Sequence, residues 1–586
     1  MPAERLDSWK EIAGYLGRSV RTVQRWERQE GLPVHRLQHD KQGSVYALPA
    51  ELDAWWETRR VGLAAEPADA ETDAGAPDGD APGAETPDGP PRAPEQTPAV
   101  ARGAVSGRRR LAWIAAGVLA AASAGFLLRG RLADAEPPRL AVLPFANLTG
   151  DAEREFLSDG LTDVMIAELG RRRDLGVIAR SSVLAYKGAP RAASLVGREL
   201  GVDYVLEGSL QEAGEQVRVA VQLVRARDEV SLWAETYDRP RRDLLALESE
   251  VASRVADEIH LRLPPPAGTR TDPEAHLTYL RGRFEWNKRT QEGFSQGLAY
   301  FQEAVTRDPG YARAWSGLAD SYVLMATYGH LSPADATPKA REAARKALAL
   351  DDALGEAHAS LALVHYFADW DFAAAERELR RASQLSPSYA NAGLWLGLLY
   401  ANQGRLPEAR AVLRQALDLD PASAALQANV AYCDLFAGRA EPALRQLEEL
   451  QRRHPARASL EVDRARALLA LGRTSEAQGL LERALARGRD AHVLALLGYA
   501  YARAGRASDA TLLLEELQAL ARAGPLDLSL LAIVRAGLGR DAEALDALEQ
   551  AVDARQGSVL TLKVDPELAS LRRQPRFQAL VARVGL

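Results

Sequence analysis

Cysteine is almost missing. Cys433 is the single one in 586 residues, which rules out an intrachain disulfide and any multi-cysteine zinc or iron–sulfur site while leaving the compartment open. Nine histidines are scattered along the chain, and no His-Glu-x-x-His pair, Walker loop, nucleophile elbow or paired-carboxylate motif accompanies them. The sequence therefore offers no catalytic residues, metal ligands or cofactor site, and an enzyme is not expected. Large apolar side chains are nearly absent from 61–107, where nine acidic residues meet only Arg92 and Arg102. Such a stretch of Ala, Pro, Gly, Asp and Glu cannot bury enough surface to fold, and it reads as a disordered acidic linker. A sustained heptad seam is missing as well. The net charge of -7 hides this local asymmetry and says nothing about nucleic acid.

What is present is too long for one hydrophobic core, so the expectation is a multidomain, mainly α chain. Residues 1–60 read as a compact module. Trp9, Ile12, Ala13 and Leu16 follow the i, i+3, i+4, i+7 stripe of a helix, with Asp7 or Ser8 available as cap and Gly17 as its end. Ser19 can cap a second helix, in which Val20, Val23 and Trp26 face inward while Arg18, Arg21, Arg25 and Arg28 share the opposite side. A solvated face is the plain alternative, and the module's ten basic against nine acidic residues lend it support. After Gly31 and Pro33, "RLQHDKQGSVYAL" reads as a strand pair around Lys41-Gln42-Gly43, and "PAELDAWWETRR" as a closing helix carrying Leu52, Trp55 and Trp56.

Taken together, "WKEIAGYLGRSVRTVQRWE" and "HDKQGSVYALPAELDAWW" resemble the winged helix-turn-helix of the excisionase and MerR-type families. The resemblance implies a DNA-binding domain over 1–60. Arg18, Ser19, Arg21, Thr22, Gln24 and Arg25 would meet double-stranded DNA from the recognition helix, and His39 and Lys41 from the wing. An arginine fork suits both guanine edges and phosphates. The effector half of full MerR regulators has no counterpart here, so no small-molecule or metal inducer beside this module is implied.

From Leu111 to Leu128 the chain runs eighteen residues without a charge, between Arg108, Arg109, Arg110 and Arg129, Arg131. At about 1.5 Å per residue this reaches roughly 27 Å, close to a bilayer core of about 30 Å. The expectation is one transmembrane helix within 108–131, in a bacterial inner membrane. The denser basic flank places the N-terminus in the cytoplasm and the C-terminal region in the periplasm. Gly117, Ala121 and Gly125 stand at the four-residue spacing by which two copies could pack as a homodimer.

Residues 139–263 change texture to strands and helices, an α+β domain. "RLAVLPFANLTG" leads into an amphipathic "EFLSDGLTDVMIAELGRR" and then "GVIARSSVLAY"; "DYVLEGSLQEAG" and "EQVRVAVQLVRA" form a hairpin at Gly214; "SLWAETYDR" and a helix around Leu244, Leu247, Val251, Val255 and Ile259 follow. The run resembles the domain related to the N-terminal part of TolB, which implies binding or structure and no catalytic residues. Asp151, Asp159 and Asp163 read as helix-capping or solvated acids before they read as a metal or acid pair.

Beyond "PPPAG" at 264–268, Gly-Arg pairs recur at 404, 438, 472, 505 and 539, with prolines at 387, 421 and 455 in the same step. A period of about 34 residues is the tetratricopeptide (TPR) signature. Leu396, Gly397, Tyr400, Ala409, Leu413, Ala416 and Pro421 occupy its packing positions, and Trp315, Leu318 and Tyr322 repeat its front. The expectation over 270–586 is an α-solenoid of eight helix pairs with a C-terminal cap, whose groove takes a protein or peptide partner. Cys433 reads as packing. The combined reading is a membrane-anchored DNA-binding transcriptional regulator with a TolB-like and TPR sensing region, laid out as in ToxR- and CadC-type regulators. The alternative is a TPR scaffold or envelope assembly protein without DNA-binding activity.

Overall fold

The computed structural model describes residues 6, 8–16, 18, 20–29, 32–36, 45–49, 51–53, 55, 137–259, 271–327, 330–455 and 457–586. Two compact units divide at residue 114. In the first, Ser8 Oγ accepts the Glu11 N–H at 3.2 Å and starts α1 (Trp9–Leu16). The chain leaves α1 with the Arg18 N–H returned to the Ala13 carbonyl at 3.0 Å, the bond that closes a helix C-terminus. After three residues α2 (Val20–Gln29) packs on α1. Strands β1 (His35–Arg36) and β2 (Val45–Tyr46) pair antiparallel. Ile12, Val23, Trp26, Leu32, Val45, Leu52 and Trp55 form the core, with the Trp26 and Trp55 rings 5.7 Å apart.

The second unit begins with a sheet of order β5-β3-β6-β7-β8, to which β4 adds beside β6. Its strands are β3 (Arg139–Val142), β4 (Ala146–Asn147), β5 (Gly176–Val177), β6 (Tyr204–Ala213), β7 (Gln216–Arg225) and β8 (Val230–Pro240). β3 runs parallel to β5 and β6, and β6, β7 and β8 form an antiparallel meander. Helix α3 (Glu155–Gly170) and, after β8, a second helix, Leu244–Glu258, cover one face. The other face receives α4 (Arg180–Val183) and α5 (Ala193–Leu200) around Val196, Val205 and Val224, so Leu244–Glu258 is α6. The stretch "GVIARSSVLAY" pairs only at Gly176–Val177 and turns helical from Arg180. Helix α3 is buried on nearly all sides rather than amphipathic, because a helix from the repeat array covers the side that the sheet leaves open.

That helix, α7 (Pro273–Asn287), opens the array, its start fixed by Pro273 and by the Asp272 carboxylate on the Ala275 N–H at 2.8 Å. Its Leu277 and Leu280 join the sheet's core, and a Cβ on Gly160 of α3 would stand 3.0 Å from Leu280 Cδ2. α8 (Gln291–Arg307) completes the first pair. Then follow α9 (Ala312–Thr327) with α10 (Pro333–Leu350), α11 (Gly355–Val364) with α12 (Phe372–Leu385), α13 (Ala390–Asn402) with α14 (Leu406–Leu419), and α15 (Ala424–Phe436) with α16 (Ala440–Arg453). The last three pairs are α17 (Ser459–Ala470) with α18 (Thr474–Arg487), α19 (Ala491–Arg503) with α20 (Ala507–Ala523), and α21 (Ser529–Gly537) with α22 (Asp541–Asp553); α23 (Pro575–Val584) ends the chain.

The Gly-Arg recurrence marks one backbone event. Glycines 404, 438, 472, 505 and 539 take φ between 72° and 78° just past the first helix of a pair. The following arginine's N–H then reaches back to the carbonyl five residues earlier at 2.8 to 2.9 Å, the bond that satisfies an orphaned helix end. In the third pair Trp370 takes that left-handed place at φ 59°, so the glycine rhythm begins only at 404.

The expectation of a single-pass inner-membrane protein with a periplasmic C-terminal region is corrected. Among the described residues no helix is long and apolar enough to cross a membrane. The longest of them, α10, spans about 27 Å at 1.5 Å per residue, but as "PADATPKAREAARKALAL" it carries six charges. The segment 108–131, the linker 61–107 and the joint at 264–268 lie outside the described residues.

Two stability outcomes follow. His276 of α7 is 2 % exposed, with its ring nitrogens 2.8 Å from Tyr311 OH and 3.1 Å from Glu248 Oε1 of α6. His276→Ala strands the Glu248 carboxylate and should lower unfolding stability by about 3–5 kcal/mol, read by urea denaturation. A Cβ at Gly438 meets nothing within 4 Å, so Gly438→Ala should cost only the left-handed penalty, about 1–2 kcal/mol, on the same assay.

Candidate nucleic-acid interface

In α2, Val23 and Trp26 are buried in the module core, Arg25 is exposed, and Thr22 and Gln24 are partly exposed. Val20, expected to face inward, is 36 % exposed, because it stands at the helix start where α1 turns away. Arg18 sits in the turn between the helices, partly exposed. Arg18, Thr22 and Arg25 are spaced by four and three residues, the step that aligns side chains along one flank of a helix. Gln24 lies a further third of a turn round. Arg21 belongs to α2, and its side chain, like Ser19, His39 and Lys41, lies outside the described residues. β1 and β2 flank 37–44, the stretch holding the last two. His35 Nε2 stands 2.7 Å from Glu51 Oε2 and its ring stacks on Tyr46 at 5.0 Å, which ties the strand pair to the segment carrying Leu52. The helix is thus anchored by an indole on one flank and exposes Arg25 on another.

The acids at the start of α3 are structural ties. Asp151 accepts the Glu153 N–H at 2.8 Å as a cap. Asp159 is paired with Arg180 at 3.1 Å and Lys187 at 2.8 Å, and Asp163 with Arg180 at 2.5 Å and the Asn287 amide of α7 at 2.6 Å. Burial strips these carboxylates of water, and the partners replace it. Their spacing on one helix was readable in the sequence; Arg180, Lys187 and Asn287 arrive from other elements and left no local signal.

The sheet domain sits on the inter-pair turns of the array at three successive places. Arg171 reaches the Ala353 carbonyl at 3.2 Å and Asp351 at 3.5 Å. The Ser388 N–H donates to the Gly170 carbonyl at 3.2 Å while its hydroxyl accepts the Val177 N–H at 3.0 Å. Ser181 and Ser182 donate to Asp420 at 2.5 and 2.7 Å. Beside this seam Asp320 of α9 accepts from Ser360 and faces Arg283 of α7, and burial pushes its carboxyl up to about 6.

The inner side of the array, expected to take a partner, is in contact with the chain's own C-terminal stretch. Arg466 of α17 donates Nε to Glu567 Oε1 at 2.9 Å and Nη2 to Glu567 Oε2 at 2.7 Å, and Nη2 also reaches Asp565 Oδ1 at 3.2 Å. Burial alone would raise Glu567, yet Arg466 holds it down to about 2. Burial, with the Glu567 charge beside it, drives the Asp565 carboxyl well upward. A partner 101 positions away is outside any local pattern, which is why the sequence pointed to none of these three residues. Cys433 is fully buried, and burial pushes its thiol up to about 11, so it packs and does not react.

With this geometry in hand, comparison with known proteins places residues 136–254 as a match to the HilA/YgeH-like transcriptional regulator, second domain. Residues 365–424 and 462–527 match the tetratricopeptide repeat. The chain is thus similar to transcriptional regulators of the HilA kind in its sheet domain and carries TPR repeats behind it. "Transcriptional regulator HilA" of Salmonella typhimurium is 26 % identical over 266 residues, 44 % of this chain and 47 % of that protein. "Putative adenylate cyclase 3" of Rhizobium meliloti is 35 % identical over 188 residues, 31 % of this chain and 32 % of that protein. The alignments thus span less than half of these relatives' own lengths. A thermophilic TPR protein from Thermus thermophilus aligns in structure at 24 % identity with a TM-score of 0.29, over 33 % of this chain and 99 % of its own. The description matched over 136–254 names HilA and YgeH, where the sequence likeness pointed to TolB.

Asp320 gives a pH signature. Its carboxyl titrates near 6 in the folded chain against 3.8 unfolded, so stability is fully present below 3.8 and lost as pH rises through 6. The loss is about 3 kcal/mol. Asp320→Asn should unfold with the wild type at about pH 4 and at higher urea than the wild type at about pH 8.

Proposed function

We propose that this chain is a DNA-binding transcriptional regulator in which residues 1–60 form a winged helix-turn-helix of the excisionase/MerR kind and the TPR array engages a protein partner. The observation that carries the reading is the match of 136–254 to a domain of transcriptional regulators. The buried indole and exposed Arg25 of α2 supply a helix that can enter a major groove. Arg18, Ser19, Arg21, Thr22, Gln24 and Arg25 would contact DNA from it, and His39 and Lys41 from the wing. Base edges read by an arginine fork give specificity; the remaining side chains position the module on phosphates. The likeness of 139–263 to the domain related to the N-terminal part of TolB is a further sign of binding rather than catalysis.

A second reading, a TPR scaffold without DNA-binding activity, draws on the near balance of ten basic and nine acidic residues in 1–60. A gel shift of the full chain on genomic duplex fragments at low salt separates the two. Under the first reading a subset of fragments shifts, and Arg21→Ala or Arg25→Ala weakens that complex by about 1–3 kcal/mol, roughly 5- to 150-fold. Absence of any shift at low salt supports the scaffold, and unchanged affinity in both variants rejects the assigned recognition face.

A further inference from the structure

The C-terminal stretch after α22 is not a ninth helix pair. It runs as a short 3-10 helix at Gly557–Thr561, a second at Pro566–Leu568, and only then as α23. Between them the strap crosses first helices of three pairs. A Cβ on Gly404, at the end of α13, would stand 3.5 Å from Lys563 Cε. Arg466 of α17 holds Asp565 and Glu567, and Pro566–Leu568 packs on α21. Leu562, Val564 and Leu568 bury themselves there.

The decisive feature is the charge. The Arg466 side chain is 12 % exposed and Glu567 is 3 % exposed. With the strap gone the guanidinium would lose both carboxylate partners, and the apolar surface now covered by Leu562, Val564 and Leu568 would meet water. The strap satisfies the face with two acids at alternate positions, Asp565 and Glu567, and apolar neighbours, a pattern that another segment could present equally.

We infer that residues 561–571 are a resident ligand of the array's inner face, and that an acidic extended segment of a partner protein binds there by displacing them. The inference rests on the reading of the array as a protein-binding region and adds what it recognises and what keeps it closed. The strap competes at a very high effective concentration because it is tethered, so wild-type affinity for such a segment is low until the strap leaves.

The test uses the full chain and a fluorescein-labelled synthetic peptide of residues 559–572, VLTLKVDPELASLR. The D565N/E567Q chain, which loosens the strap and keeps Arg466, should bind the peptide at least about tenfold more tightly than wild type. Adding R466M, or replacing the peptide's own two acids by Asn and Gln, should remove that gain. Equal binding by wild type and D565N/E567Q overturns the inference. In the unliganded wild type, amide hydrogen exchange at Val564–Leu568 should run at least about tenfold faster than in α17; protection equal to that of α17 overturns it as well. Neither measurement involves DNA, so failure here is separable from failure of the regulator reading.

Discussion

One helix belongs to two structures at once. By sequence period α7 is the first element of the array; by packing, its Leu277 and Leu280 close the core of the sheet domain against α3. Without α7, the outer side of α3, with Gly160, Asp163 and Val164, would face water. Without the sheet domain the first pair would expose leucines in place of the polar face that end repeats carry. The sheet domain therefore covers the N-terminal end of the solenoid, and the two form one compact unit.

The polar contacts are arranged to the same end. Each of the three turns that meet the sheet domain offers it a carbonyl, an amide, a hydroxyl or a carboxylate, and the groups it returns are the Arg171 side chain and Gly170 carbonyl at the end of α3, the Val177 N–H of β5 and the Ser181 and Ser182 hydroxyls of α4. Hydrogen bonds of this kind set the seating angle; burial of Leu277, Leu280 and Ala179 supplies the driving force. The buried Glu248–His276–Tyr311 chain does the same between α6, α7 and the start of α9.

The parts legible in the sequence were those governed by short-range rules. The left-handed glycines after α13, α15, α17, α19 and α21 leave a Gly-Arg mark about every 34 residues, and alternation in Val217, Val219 and Val221 marks a strand with one buried face. The indole and valine of α2 gave the inward flank, while Val20 misled because end residues of a helix escape its stripe. Asp159 and Asp163 read as capping or solvated acids because Arg180, Lys187 and Asn287, which pair with them in a buried site, come from distant parts of the sequence. Long-range pairs such as Arg466 with Glu567 follow from the curvature of the whole array, which no window of sequence contains. The uncharged run 111–128 carried the membrane expectation by length and hydropathy alone, and no described helix shares that character.

A solenoid open at both ends can gain or lose a unit and keep its fold. Here Arg555 donates to the Ala368 carbonyl at 2.7 Å and lays its guanidinium over Trp370, and a Cβ on Gly585 would stand 3.6 Å from Phe372. The residues that follow the last pair thus touch the third, and the array's C-terminal end is clasped to its middle. One more or one fewer repeat module would carry Arg555 and Gly585 away from Trp370 and Phe372, so these contacts tie the C-terminal end to the present number of repeats.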